Sequence, residues 1–197
     1  MEILNRVELV VTVDGINPSH EFMGEKFNVV TVSAKRKSGT SDVLPVIVSE
    51  RIMPVLECGD RVHIIGSFRS HNEETRLVLN VFADEIEKTE SLGDINRIEL
   101  DAYICKKPNY RETPQGRLIT DLLLACNRRS GKSDYIPSIT WGRNARYARE
   151  LEVGTKVSVT GRVQSRGYQK KINETEFEDR VAYEVSIVTI FENSEEE

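Results

Sequence analysis

The chain has 197 residues, 39% hydrophobic and 30% charged, with a formal net charge of -5; that is room for one large or two small domains. The composition excludes a disordered chain, and no apolar run approaches the roughly 20 residues of a spanning helix, so a soluble, cytoplasmic protein is expected. Cys58, Cys105 and Cys126 are odd in number, far apart and without CxxC spacing, which argues against a disulfide framework and against a zinc site.

From the N-terminus, MEILNRVELV has neither the basic region nor the small-residue cleavage site of a secretory signal. Val7, Leu9, Val11 and Val13 follow at the two-residue period of a half-buried strand. LPVIVS at 44–49, Val62 with Ile64, and Leu77, Leu79 with Val81 give further strands, and a short helical stretch between them is interrupted by Pro54. A polar stretch from Lys88 to Asp94, containing Gly93, reads as a boundary. Beyond it Ile98, Leu100, Ala102 and Ile104 alternate with Glu99, Asp101, Tyr103 and Cys105. RNARYARELE, rich in helix formers and closed by Gly154, predicts a helix. Val157 with Val159, then Tyr183, Val185 and Ile187, supply the last strands, and ENSEEE forms an acidic tail at 192–197.

The chain repeats itself. NRVEL at 5–9 returns as NRIEL at 96–100, SGTSDVLP at 38–45 as SGKSDYIP at 130–137, and ECGDRVHIIG at 57–66 as EVGTKVSVTG at 152–161. Offsets of 91, 92 and 95 are those of a duplicated domain with small loop-length changes. Each copy reads as three strands, a helix and two strands, so the expected fold is all-β with one short helix per domain. The architecture is two tandem five-stranded barrels of the oligonucleotide-binding type, at residues 1–90 and 94–191. Charge divides between the copies: residues 1–92 carry a net -5 and residues 93–191 a net +4, and all six tyrosines and the single tryptophan lie after residue 92. Basic charge and stacking surface are therefore concentrated together.

The second copy resembles bacterial single-stranded-DNA-binding proteins. The likeness runs through NRIELDAYI, KKPNYRETPQG, LACNR, Trp141-Gly142, Ala145, Leu151, Gly154, Val157, Gly161, Arg166 and Tyr168. The first copy is similar to primosomal replication protein N of the same superfamily in LPVIVS, GDRVHIIGSFRSH and LVLNVFADEIE. The resemblance implies single-stranded DNA as partner, with Tyr135, Trp141 and, in the loop expected after the fourth strand, Tyr168 at stacking positions, and association of barrels into dimers or tetramers. Tyr135 and Trp141, six residues apart in one predicted strand, share a face. On residues alone Trp141 favours a packed core; the resemblance places it on a binding face. An aromatic common in the family near Arg128 and Arg129 is absent here. The candidate phosphate contacts are Lys106, Lys107, Arg111, Arg128, Arg129, Lys132, Arg143, Arg166, Lys170 and Lys171, because stacking and several cations acting together are what hold a single strand. Arg146 and Arg149 read as the solvated face of the helix.

Enzymatic readings find little. Gly131-Lys132-Ser133 lacks the upstream glycine of a phosphate loop, with Cys126 in its place. No metal, cofactor or catalytic group is expected, and His20, His63 and His71 sit in separate elements. In the first copy Val43 and Ser49 stand where the second has Tyr135 and Trp141, and HNEET follows the fourth strand. Such a barrel is expected to act as a scaffold or pairing domain, with Phe68 as its one exposed-aromatic candidate and Lys35, Arg36 and Lys37 as a weak second surface. The tail lacks a long linker and a terminal hydrophobic residue, so it is expected to solubilise or fray. The sequence therefore predicts sequence-independent single-stranded DNA binding in replication, recombination or repair, by a homo-oligomer such as a dimer with four barrels. Two readings stay beside it: a primosome-like accessory factor whose partners are replication proteins, and an RNA-binding module.

Overall fold

The computed structural model of the chain describes residues 4–74, 76–173 and 176–193. Thr75 of the HNEET segment and residues 194–197 of the acidic tail lie outside the described residues. Five strands come first: β1 (Asn5–Phe22), β2 (Glu25–Lys35), β3 (Ser41–Ser49), β4 (Arg61–Glu73) and β5 (Arg76–Lys88). β1 pairs with β2 and β4, β2 with β3, β3 with β5, and β5 with β4, so the ladder closes into a barrel. The alternating residues point inward: Val7, Leu9, Val11, Val62 and Ile64 are fully buried. Phe68 continues that inward phase of β4 and is 1% exposed, so it is a core residue and not an exposed aromatic.

The second set is β6 (Ile95–Ile104), β7 (Asn109–Glu112), β8 (Leu118–Asn127), β9 (Ser133–Trp141), α1 (Gly142–Ala148), β10 (Lys156–Lys171) and β11 (Phe177–Glu192). The circuit β6-β10-β11-β9-β8 also closes, through β6–β8 pairing, and β7 hangs on β8. Both circuits are barrels of the oligonucleotide-binding type. In each, a bulge in the fifth strand, with Asp84 or Val188 as its extra residue, lies opposite a glycine of the fourth, Gly66 or Gly161, where a Cβ would run into the carbonyl oxygen of Phe82 or Ser186. Among the described residues only the second copy forms a helix. In the first, Ile52 and Met53 both donate to the Ser49 carbonyl and the turn stops there, because Pro54 has no N–H and disfavours helical backbone at Met53. No helix of the described residues is long and apolar enough to cross a membrane.

The barrels are joined about a pseudo-two-fold axis. β1 and β6 run antiparallel with Val7 opposite Ile98, the same position in the two copies, so the contact is self-complementary in the manner of a homodimer. Asn5 brackets Phe68 with two hydrogen bonds to its backbone (2.8 and 2.9 Å), and Asn96 brackets Val163 in the same way (2.7 and 2.9 Å). Two buried aspartates complete the joint. Asp42 accepts the N–H of Ser165 (2.9 Å) and pairs with Arg36. Asp134 accepts the N–H of Ser70 (2.6 Å) and pairs with Arg128 (2.5 Å). Each carboxylate has a side chain only 1% exposed, a burial tolerable only with a cationic partner and further donors.

Candidate nucleic-acid interface

β9 carries the first two aromatics. Ile136, Ser138 and Thr140 point inward and are buried, which puts Tyr135, Pro137, Ile139 and Trp141 on the other face, where Ile139 is covered and Tyr135 and Trp141 are exposed. Tyr135 lies opposite Ala125 and Trp141 opposite Ile119, so the two rings stand on one ridge about 20 Å apart at strand rise. They are 42% and 40% exposed. Gly142, at a φ of +57°, turns the chain from Trp141 into α1.

Tyr168, 39% exposed, lies inside β10 and not in a loop, because β10 and β11 continue as a paired hairpin to Lys171 and Phe177. It faces Arg180 across the ladder, and the Arg166 guanidinium carbon is 5.9 Å from its ring centroid. Tyr168, Tyr183, Arg166 and Arg180 line a groove of about 480 Å3 with Pro137 below and Arg76 to Leu79 of the first barrel opposite. Burial raises the Tyr183 hydroxyl pKa, so it is a neutral hydrogen-bonding group. Arg180 and Arg76 escape a sequence reading whose strands begin at Tyr183 and Leu77; the polar hairpin before Tyr183 has no apolar alternation to reveal it.

The expected phosphate contacts divide into two groups. Lys106, Lys107, Lys132, Arg143, Lys170 and Lys171 are exposed on the second barrel. Arg143 follows Trp141 at the start of α1, while Lys132 and Arg129 occupy the β8–β9 turn near Tyr135. Arg166 is 3.7 Å from Glu184. Arg111 is held by Asp121 (2.7 Å), which raises its pKa. Arg128 spends its Nε and one terminal nitrogen on Asp134, also reaches the Ser70 carbonyl (3.3 Å), and has its pKa raised by Asp134. Its first task is thus to tie the barrels together. Arg149 is not simply on a solvated face: its guanidinium carbon lies 5.1 Å from the Tyr110 ring centroid. In the first barrel Arg36 is the strut partner of Asp42. Among the described residues no cluster of His, Cys, Asp and Glu is arranged to hold a metal ion.

Comparison with known proteins places this surface in context. Residues 95–190 match the single-strand binding protein family. The chain is 33% identical over 84 residues to a single-stranded DNA-binding protein of Clostridium tetani (39% of this chain, 58% of the relative). It is 34% identical over 97 residues to single-stranded DNA-binding protein A of Bacillus subtilis (46% of this chain, 56% of the relative). The chain thus spans little more than half the length of these curated relatives. In three dimensions it is similar to the crystal structure of the single-stranded DNA binding protein from Thermus aquaticus, with a TM-score of 0.79 at 21% identity over 98% of this chain and 95% of that one. At that identity the likeness speaks to the fold alone.

Proposed function

We propose that this chain, which carries a single-strand binding protein family domain at residues 95–190, binds single-stranded DNA without sequence preference. Unpaired bases stack on Tyr135, Trp141 and Tyr168, and Lys106, Lys107, Arg129, Lys132, Arg143, Arg166, Lys170 and Lys171 track the phosphates. One observation carries the reading: the only tryptophan and three of six tyrosines, Tyr135, Tyr147 and Tyr168, stand about 40% exposed on one barrel, where a tryptophan is ordinarily well buried. Arg111 and Arg128, already paired with carboxylates, play supporting parts. The chemistry is binding and not catalysis.

The first barrel, with Val43 and Ser49 on the matching ridge, serves chiefly as scaffold and pairing domain. Two copies of the chain would bring four barrels to one strand, in the cytoplasm, in replication, recombination or repair. The test is a titration of the whole chain with oligo-dT, oligo-U and duplex DNA at two salt concentrations. Tight, salt-sensitive binding of oligo-dT with weak duplex binding is expected; equal affinity for duplex would overturn the reading.

A further inference from the structure

The two struts between the barrels are alike, but the side chains beside them are not. Near Asp42 the additional guanidinium is Arg162, and Gln164 donates to Glu184 (2.6 Å). Near Asp134 the equivalent of Gln164, 95 residues earlier, is Arg69. Its guanidinium carbon lies 3.7 Å from the centroid of the Phe82 ring, its Nε donates to Ser67 (2.9 Å), and a terminal nitrogen makes a long ion pair with Asp84 (3.9 Å). Burial first, and then the neighbouring Arg128, hold Arg69 below its usual pKa, and burial pushes the Asp84 carboxyl up. Two guanidiniums thus stand at one seam, Arg128 paired with Asp134 and Arg69 at the longer distance from Asp84.

The seam also has a stacking floor. Phe82, which corresponds to Ser186 in the second barrel, is tilted on Phe27 (5.9 Å), and Phe27 is stacked on the exposed His20 (4.8 Å, 7° between planes). Above them opens a cavity of about 600 Å3 bounded by Arg69, Arg128, His20, His71 and Phe82. A second cavity, of about 550 Å3, shares Arg69 and Arg128, extends to Arg129 and is lined as well by their partners Asp84 and Asp134. The one carboxylate lining the first, Glu73, is bound to Arg76 (2.7 Å). Ser70 lines it too, and its hydroxyl accepts the N–H of Tyr135 (2.8 Å), so the cavity adjoins the stacking ridge.

We propose that this seam is a nucleotide subsite, which takes a phosphate of the bound strand on Arg69 and Arg128 and its base against the cavity-lining rings of His20 and Phe82. The strand passes from Tyr135 across the joint onto the first barrel. Guanidinium planes and aromatic rings are the groups on which single-stranded bases stack. Joined cavities of this size suit a nucleotide. The assignment rests on the single-strand reading above and gives the scaffold barrel one site of its own.

The test compares the whole chain with its Arg69→Gln and His20→Ala variants, each shown to be folded by circular dichroism. The probes are oligo-dT of about 8 and about 24 nucleotides, since one such barrel covers about 4–16. Both variants should bind the longer strand about 3- to 5-fold more weakly, with little change for the shorter. For Arg69→Gln the slope of log K against log salt should become shallower by about 0.7. His20 is exposed, so its variant carries the test if Arg69→Gln fails to fold. Unchanged long-strand affinity and slope, with the wild type binding normally, would overturn the seam alone. A wild-type chain that binds neither strand would overturn the parent reading and the seam with it.

Discussion

The two barrels agree where they touch each other and differ where they face solvent. Asp42 and Asp134, Arg36 and Arg128, Ser165 and Ser70, Asn5 and Asn96, and Gly66 and Gly161 are matched pairs at the joint and at the strand bends. On the ridge of the third main strand the match ends, with Val43 and Ser49 against Tyr135 and Trp141. Duplication kept the residues that close a barrel and pair it. It left the outer face free to diverge where, as at Val43, the position faces solvent and costs the fold little when it changes, while Ser49 is covered and bonded to Glu25.

The joint is the strongest place to break that comparison. Asp134→Ala strands Arg128 and the Ser70 N–H, and Asp42→Ala strands Arg36 and the Ser165 N–H. Each should cost about 3 kcal/mol in denaturant unfolding, and by nearly equal amounts. A large loss at one and none at the other would end the claim of an equivalent joint. Next come the ridges. Tyr135→Ala and Trp141→Ala should each weaken oligo-dT binding by about 1–3 kcal/mol, while Val43→Ala in the first barrel should leave it unchanged.

Barrel class was legible because inward residues fall at period two in both copies, and Val7, Leu9, Ile98 and Leu100 are all fully buried. The exposure of Tyr135 and Trp141 follows from the same alternation along β9. The misreadings have one physical root, which is that polar sequence does not say whether backbone is paired. Tyr168 belongs to a strand whose partner, Phe177–Glu192, is nearly as polar as a loop in its first half. Arg128 looks like a free surface cation until Asp134, six residues on, turns inward. Phe68 was in phase with Val62 and Ile64, and that phase outweighs its separation from them by Gly66. The Arg69–Phe82–Phe27–His20 stack joins four strand segments and leaves no local trace.

Smaller effects sharpen the contrast in charge. With four to six phosphate contacts on the second barrel, log K should fall with log salt at a slope near -0.7 per contact. Lys132→Gln should remove about one contact's share, whereas Lys37→Gln in the first barrel's matching turn should remove none. The smallest effect concerns Cys126, whose counterpart 92 residues earlier is Ala34. Burial pushes its thiol up to about 12, so at pH 8 a thiol reagent should label the exposed Cys58 and spare Cys126. A folded-state value above the unfolded one, near 8.5, means that this group's stabilising share is full below about pH 8.5. It is lost as pH rises from there toward 12. Cys126→Ala, which copies the first barrel, should cost about 1 kcal/mol at neutral pH and remove that alkaline loss.

The central claim, that the exposed ridge of the second barrel is where a single strand stacks, has a built-in reporter in Trp141, the only tryptophan of the chain. Its fluorescence should be quenched in a saturable way as oligo-dT is added to the intact protein, and the quenching should reverse with salt. Emission that stays unchanged while an independent anisotropy measurement shows the oligonucleotide bound would place the strand elsewhere and contradict the account.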